Sequence, residues 1–331
     1  MLLRSFPDLS QSDSDFNQWF NSRWGRENCI VWGRSRFADF GPCTHTLSIR
    51  AAWGGAQHCH FNGRTVAVDD DNFLILNHGR VCATSIHATR PVESLAISFR
   101  PGLAERICGA MAASCESALA QGDTLAEQPV EFMEHLRPHD RAVSPVLRFI
   151  RAHLVQGLDD EGWYEEQLIF LLERMRAQQL RTIERVEALQ LVRAGTRHEI
   201  FRRVHLATDF LHTNYAQSFS LSTLANVACL SKYHFLRLFT LVHGLTPFAY
   251  LQRKRTCVAL RLLKSTQLTL GEVASCVGFT TRSALRRQIR RSMGLSPLQA
   301  RKQSSTVATT LGSTSGGLAS TRHTNTAQVD S

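Results

Sequence analysis

The sequence predicts a two-domain α+β protein, with a small strand-built barrel or sandwich and its following helices ahead of an all-α domain. Three observations predict it. Short apolar and β-branched runs fill the first hundred residues, set apart by turn residues. From about Gly102 the periodicity becomes helical. One helical pattern then occurs twice, over 221–247 and 270–297.

The chain of 331 residues is long enough for two domains, and 43% hydrophobic with 20% charged residues is the balance of a soluble globular protein. The first thirty residues show no basic segment followed by a long apolar run, and no window approaches eighteen apolar residues. Neither a secretory signal nor a membrane span is expected. The nine cysteines are scattered, odd in number and without C-x-x-C spacing. A disulfide framework or zinc ribbon is therefore not expected, and reduced thiols in a cytoplasmic chain are.

The strands are read from "THTLSIRAAWGG", "RTVAV", "NFLILNHG", "RVCATSI" and "ESLAISFRPG". Turn residues part them at Gly54-Gly55, Asn62-Gly63, Asp69 to Asn72, His78-Gly79 and Arg90-Pro91. The helical stretch opens with the alanine-rich "GLAERICGAMAASCESALA". In "SPVLRFIRAHLVQGL", Val146, Ile150 and Leu154 share one side. Over 165–192, Leu168, Leu172, Met175, Ile183, Val186 and Leu189 fall near a common stripe, read as core packing and as the candidate subunit contact. Residues 303–331 contain thirteen Ser or Thr and almost no large apolar group, so a disordered tail is expected there.

Charge is distributed unevenly. From His205 to Lys302 fourteen Lys or Arg face only Asp209 and Glu272, so this segment carries +12 of a net +10 and the remainder is −2. Five arginines (Arg282, Arg286, Arg287, Arg290, Arg291) fall within ten residues. At helical spacing, Leu285, Ile289 and Met293 make an apolar stripe and the arginines a single-sign face beside it. A solvated face mixes both signs, whereas a single-sign face suits a polyanion such as nucleic acid.

That stretch is the second copy of the repeat. Leu224 answers Val273, Ala225 Ala274, Leu230 Phe279 and Ser231 Thr280. After one extra residue, Phe235 answers Leu285, Arg237 Arg287, Phe239 Ile289, Gly244 Gly294 and Pro247 Pro297. Each copy reads as a short helix, a tight turn, an N-cap hydroxyl (Ser231 or Thr280) and an amphipathic helix ended by Gly. This is a helix-turn-helix, present twice. Gly278 takes the turn position where positive φ is cheap; Cys229 holds the matching place, where strain is expected.

The segment from Val204 to Lys302 resembles the DNA-binding domain of AraC/XylS-family transcription regulators. The joining stretch "TPFAYLQRKRTCVALRLL" is similar to the family's linker helix, and "EVASCVGF" followed by "SP" matches its second motif. The resemblance implies that the two motifs' second helices enter successive major-groove faces of one DNA duplex. Leu285, Ile289 and Met293 stand where the family usually has Phe, and all are apolar. Arg286 replaces a common small polar residue, so the second half-site's sequence does not carry over.

In the groove, Arg282, Ser283, Arg286 and Arg287 are expected at base edges, where arginine's fork suits guanine. Arg290 and Arg291, a turn later, are expected at phosphates. Lys232, Tyr233, Leu236 and Arg237 hold the equivalent places in the first copy, Leu236 as a thymine-methyl contact or simply an exposed leucine. Arg253, Lys254 and Arg255 are read as packing or phosphate-neutralising, and Arg261 as a structural ion-pair partner. The first two hundred residues resemble the cupin-like effector and dimerisation domain of these regulators. The organisation read is thus a cupin-like domain over 1–135, a helical linker and dimerisation region over 136–203, the DNA-binding domain over 204–302 and the tail over 303–331.

His58 and His60 point to one face of a strand, which suits a metal, a polar effector contact or ordinary satisfied histidines. A third histidine and a carboxylate at cupin spacing are missing. Asp69 to Asp71 reads as a solvated turn, since no later Glu completes a calcium loop. Trp163 and Tyr164 read as a core anchor at a helix start. No phosphate-loop, dinucleotide or nucleophile-elbow signature occurs. The expected function is a cytoplasmic, non-enzymatic regulator of transcription, expected to act as an activator, that needs no cofactor. Its partners would be double-stranded DNA, a small-molecule effector, a second copy of itself and RNA polymerase, with no membrane. A metallo-cupin enzyme fused to a DNA anchor is the alternative.

Overall fold

The structure is a computed structural model that describes residues 1–7, 15–112, 129–188 and 194–301. The Ser/Thr-rich tail, Cys115 and Leu189 lie outside them. The chain divides into two compact units, Met1–Asn214 with Phe219–Pro247, and Tyr215–Ser218 with the residues from Phe248 onward.

The first unit opens with β1 (Leu2–Leu3), α1 (Asp15–Arg23), β2 (Cys29–His45), β3 (Ser48–Trp53), β4 (Gln57–Phe61), β5 (Arg64–Val68), β6 (Asn72–Leu76) and β7 (Arg80–Ser98). It continues with α2 (Leu103–Ala112), β8 (Leu136–Pro138), α3 (Ser144–Gln156), α4 (Glu161–Glu187), α5 (Ala194–Thr213), α6 (Leu221–Val227) and α7 (Lys232–His243). The second unit is built from α8 (Pro247–Ser265), α9 (Leu270–Cys276) and α10 (Arg282–Met293). β8 carries the sheet past residue 135, and α5 runs unbroken through residues 203 and 204.

The strands pair in the order β1-β2-β7-β3-β6-β8, with β4 between β5 and β7. The first half of β7 pairs with β4 and the second half with β3, while β2 follows β7 along most of its length. The sequence reading had two strands parted by a turn at Arg90-Pro91; they are one. Ser35 faces Val92 and Phe37 faces His87, so only Arg36 opposes residues 88–91. Pro91, which has no N–H to give, sits in that bulge, where the ladder is interrupted anyway. β2 was not anticipated either, because Gly33, Gly41 and Pro42 break its pattern.

β6, "NFLIL", is buried at every position. Phe73 and Ile75 pack toward α3 and α4 with Ile49, Leu95, Ile150 and Leu172, while Leu74 and Leu76 face an inner core with Phe61, Val66, Val68 and Ile86. A strand covered on both faces reads as a continuous apolar run, which is how it was found. Val146, Ile150 and Leu154 are buried as their spacing requires, as are Leu168, Leu172, Met175 and Val186; Ile183 is half-buried. Tyr164 is buried at the start of α4, with its hydroxyl donating to the Leu158 carbonyl at 3.0 Å. The Asp69–Asn72 turn is not solvated throughout. Asp69 is buried and accepts from Asn72 Nδ2 at 2.7 Å and the Asp71 N–H at 3.0 Å.

Three histidines meet where the sheet, α5 and α7 come together. The His135 and His205 rings lie 4.0 Å apart, and those of His205 and His243 5.3 Å apart. His135 Nδ1 donates to the Leu136 carbonyl at 2.9 Å. Thr208 gives its hydroxyl proton to the Val204 carbonyl and so accepts from His243 Nε2 at 2.8 Å. Burial, then the Arg137 guanidinium, pushes His135 down to about 3. Burial and Arg185 bring His243 to about 4, and burial with His135 and His243 lowers His205 as well. Burial raises the adjacent Asp209 to about 6 against the pull of Arg64.

Histidines lowered in the folded state contribute stability that is full above their ordinary value near 6.5 and lost as pH falls through it. Asp209 works the other way between about 4 and 6, but one carboxyl opposes three imidazoles. The thermal midpoint is therefore expected to be lower at pH 5 than at pH 7, with His243→Gln shrinking the difference. A midpoint unchanged across that interval, followed by circular dichroism, would contradict the assignment of neutral buried imidazoles.

Candidate nucleic-acid interface

Each copy of the repeat is built by the same local bonds. In the first, Ser220 caps α6 by accepting from the Thr223 N–H at 3.1 Å, and Ser231 caps α7 by accepting from the His234 N–H at 3.4 Å. The turn between them is closed by Leu230 N–H to Ala225 carbonyl at 2.9 Å and Cys229 N–H to Asn226 carbonyl at 2.9 Å. In the second, Thr269 and Glu272 form a capping box at the start of α9. Its turn is closed by Phe279 N–H to Ala274 carbonyl at 2.9 Å and Gly278 N–H to Ser275 carbonyl at 3.2 Å.

Both turns need one left-handed residue. Gly278 takes φ +79° and Cys229 φ +51°. Space forbids a side chain at Gly278 as well, because a Cβ there would lie 2.3 Å from the Ala216 carbonyl oxygen. The cap of the second helix differs from the expected one. Thr281, not Thr280, accepts from the Ala284 N–H at 3.1 Å, so the extra residue of the second copy falls in the turn ahead of the cap.

α7 is seated by buried Phe235, Leu238 and Phe239, and exposes Lys232, Tyr233, Leu236 and Arg237. α10 is seated by Leu285 and Ile289 and exposes Arg282, Ser283, Arg286, Arg287, Arg290 and Arg291. Met293 does not join the apolar stripe. It is 51% exposed, because the helix stops at Gly294, whose left-handed φ turns the chain away one residue later. Among the described residues no carboxylate pairs with any of the five arginines of α10. The first turn of each helix also presents unpaired backbone N–H groups, adding partial positive charge on the same side.

The remaining basic residues are sorted by burial. Arg255 is buried and donates to the Tyr215 and Gln217 carbonyls at 2.7 and 2.8 Å. Lys254 lies over the Tyr215 ring, and Arg301 donates to the Leu263 and Leu268 carbonyls. These three hold the second unit together, whereas Arg253 stands in solvent.

In the β-rich part, His58 and His60 share the half-exposed outer face of β4, and Cys59 between them turns inward. Both ring nitrogens of His60 are engaged, with Thr65 and Ser85 hydroxyls at 2.9 Å each. Burial, and then the neighbouring His60 and His87, lowers His58. Among the described residues no three His, Cys, Asp or Glu side chains gather as a metal set. A cleft of about 750 Å³ opens elsewhere, lined by Arg64, Arg80, Glu134, His135, Phe201 and His205. No motif marks it, since its walls come from β5, β7, the 131–135 segment and α5.

Replacing Gly278 by Ala is expected to cost at least about 1–2 kcal/mol from the left-handed backbone alone, and more from the Ala216 contact. Cys229→Gly is expected to stabilise by up to about 1 kcal/mol, since it relieves the same strain without a clash. Urea midpoints of the two variants check both signs.

A profile for an AraC-like ligand binding domain matches residues 39–155, and one for a helix-turn-helix domain matches residues 224–303. Among curated relatives, the chain is 33% identical over 94 residues to the HTH-type transcriptional regulator AlkR of Acinetobacter baylyi, covering 28% of this chain and 31% of that one. It is 30% identical over 146 residues to the virulence regulon transcriptional activator VirF of Yersinia enterocolitica, covering 41% and 54%. The chain thus spans between about a third and a half of these relatives. Among solved structures, the DNA-binding domain of AdpA in complex with a target DNA is 33% identical, over 30% of this chain and 90% of that one, at a TM-score of 0.29. ToxT from Vibrio cholerae is 8% identical over 84% and 99%, at a TM-score of 0.34. Both profiles fall where the strands and the duplicated motif lie, in the same order along the sequence, and the chain thus carries an AraC-like ligand binding domain followed by a helix-turn-helix domain.

Proposed function

We propose that this protein binds double-stranded DNA sequence-specifically and regulates transcription, with α7 and α10 as its two groove-reading helices and the β-rich domain as receiver of a small-molecule effector. The observation that carries this is the duplicated, capped motif whose second copy exposes five unpaired arginines on one face. Arg282, Ser283, Arg286 and Arg287 at the start of α10, with Lys232, Tyr233, Leu236 and Arg237 on α7, read base edges. Arg290 and Arg291 meet phosphates. The reading gives no residue a catalytic part.

The effector site is the 750 Å³ cleft, where a ligand would touch both the sheet and α5, the helix that leads into the first motif. Subunits pair through the outer faces of α3 and α4, which expose Phe149, Ile169, Phe170 and Leu180. Ile169 and Leu180 lie three turns apart on one side of α4. A regulator bound beside a promoter also meets RNA polymerase, and the position of its site sets whether it acts as activator. Such a protein works in the bacterial cytoplasm; among the described residues no helix is long and apolar enough to cross a membrane.

Selection of bound genomic fragments, then footprinting at fixed salt, tests the reading. Two protected major-groove segments about 10 bp apart are expected; sequence-blind protection with and without cell extract would overturn it. Arg287→Ala is expected to weaken specific binding by about 1–3 kcal/mol and relax preference at one base pair. Arg291→Ala should weaken binding on all sequences alike and reduce the salt slope by about 1. Ile169→Glu combined with Leu180→Glu should convert a dimer to a monomer in analytical ultracentrifugation without lowering the thermal midpoint.

A further inference from the structure

Helices α7 and α10 share one backbone plan and carry different chemistry on it. Both are 12 residues long, both follow a hydroxyl cap, and both end at a glycine with φ +68°. Their positions therefore answer one another along the whole length, Lys232 to Arg282 and His243 to Met293. Taken at i, i+3, i+4, i+7 and i+8, one face of α7 is Tyr233, Leu236, Arg237, Thr240 and Leu241. The same face of α10 is Ser283, Arg286, Arg287, Arg290 and Arg291. Four arginines on one helix thus answer a single arginine on the other.

The places where α10 is expected to meet phosphates, Arg290 and Arg291, are Thr240 and Leu241 on α7. Leucine brings no charge. Thr240 gives its hydroxyl proton to the Leu236 carbonyl at 2.8 Å, which leaves none for a phosphate oxygen. The base-edge places differ as sharply. Where α10 has Ser283 and Arg286, α7 presents Tyr233, 80% exposed, and the exposed Leu236. Single apolar side chains in water are ordinary, but three on one face of a three-turn helix, with Leu241 as the third, mark a contact surface.

The flanking charges narrow what that surface fits. Lys232 and Arg237 border the apolar side chains, and among the described residues neither has a carboxylate partner. Pressed against an apolar protein face, both cations would lose water and gain no counter-charge. Against a DNA duplex they meet phosphates or guanine, and the apolar group that the major groove offers beside them is the thymine C5-methyl.

We propose that the two helices read DNA of different composition, α7 through thymine methyls at Tyr233 and Leu236, α10 through guanines at its arginines. The operator is then asymmetric, with a thymine-bearing segment under α7 and a guanine-bearing segment under α10. Most of the phosphate neutralisation falls to α10. This rests on the reading of both helices as groove readers and adds the chemistry that each of them selects.

The test lets the full-length protein select duplexes from a random-sequence pool, with wild type, Leu236→Ala and Arg286→Ala in parallel. The wild type is expected to enrich a two-part site, thymines in one segment and guanines in the other. Leu236→Ala should relax the thymine segment alone, and Arg286→Ala the guanine segment alone. Replacing thymines of the enriched duplex by deoxyuridine then removes only methyl groups. Wild-type affinity should fall about fourfold for each contacted methyl, the worth of one buried methylene. Leu236→Ala should lose that sensitivity at one position. The slope of log affinity on log salt should drop by about 2 in Arg290→Ala combined with Arg291→Ala, and hold in Thr240→Ala combined with Leu241→Ala. Guanines in both segments, or a selected site indifferent to deoxyuridine, overturns this inference and leaves the regulator reading standing; the second is also the result if the apolar face of α7 serves a protein partner. Enrichment of no sequence overturns both. The deoxyuridine exchange alters the DNA alone, so its outcome stands whether or not a variant folds.

Discussion

One buried carboxylate ties the sheet to the helices that follow it. Asp209 is 1% exposed on α5, and a charge so placed survives only if each oxygen is engaged. Its Oδ1 accepts from the Leu136 N–H at 2.9 Å and its Oδ2 from Arg64 Nη1 at 2.7 Å. Arg64 in turn donates to the Glu134 carbonyl at 2.6 Å, and one turn past Asp209 the Thr213 hydroxyl accepts from the Ala67 N–H at 3.0 Å. Through these bonds α5 is fixed on β5 and β8, and α5 sets the footing for α6 and α7. The histidine cluster, the cleft and α7 are all arranged around that junction.

The second unit solves a different problem, a helix that repels itself. Its like-charge pairs at i, i+4 cost a few tenths of a kcal/mol each, about 1 kcal/mol in all. Burying Leu285 and Ile289 returns about 1.5–3 kcal/mol apiece, and the Thr281 cap about 1 more. Seating therefore wins, though by a margin that leaves little for other losses. Arg255 and Arg301 add to it by tying residues 215–217 and the carbonyls of Leu263 and Leu268 to the same small core.

Local features were legible in the sequence because local chemistry sets them. The repeat, the Ser231 cap, the special turn at Gly278 and Cys229, and the doubly covered run at β6 all lie within a few residues of their cause. What escaped depends on pairing across the chain. Asp209 counted on paper as a charge opposing the basic segment, whereas it faces the sheet and relieves none of the arginines of α10. Pro91 read as a turn because the bulge that tolerates it is defined by Ser35 and Phe37 on another strand. Met293 kept the helical spacing and still fell outside the core. His58 and His60 drew attention by proximity, yet it is Cys59 between them that turns into the inner core, where it faces Thr84 through the register of β4 on β7.

The unbroken course of α5 bears on how this protein can be divided. A cut between residues 203 and 204, the boundary that the sequence pattern suggests, severs a 20-residue helix in its middle. The C-terminal piece would keep Asp209 but lose Arg64 and the Leu136 amide, which gave its burial a reason, along with the Ala67 amide that bonds Thr213. Water would hydrate that carboxylate, and α6 and α7 would rest on a shortened, loosened support. The half of the tandem motif around α10 keeps Tyr215 to Ser218 and α8 and would be spared. A fragment of this kind would present α10 in its native setting and α7 out of it.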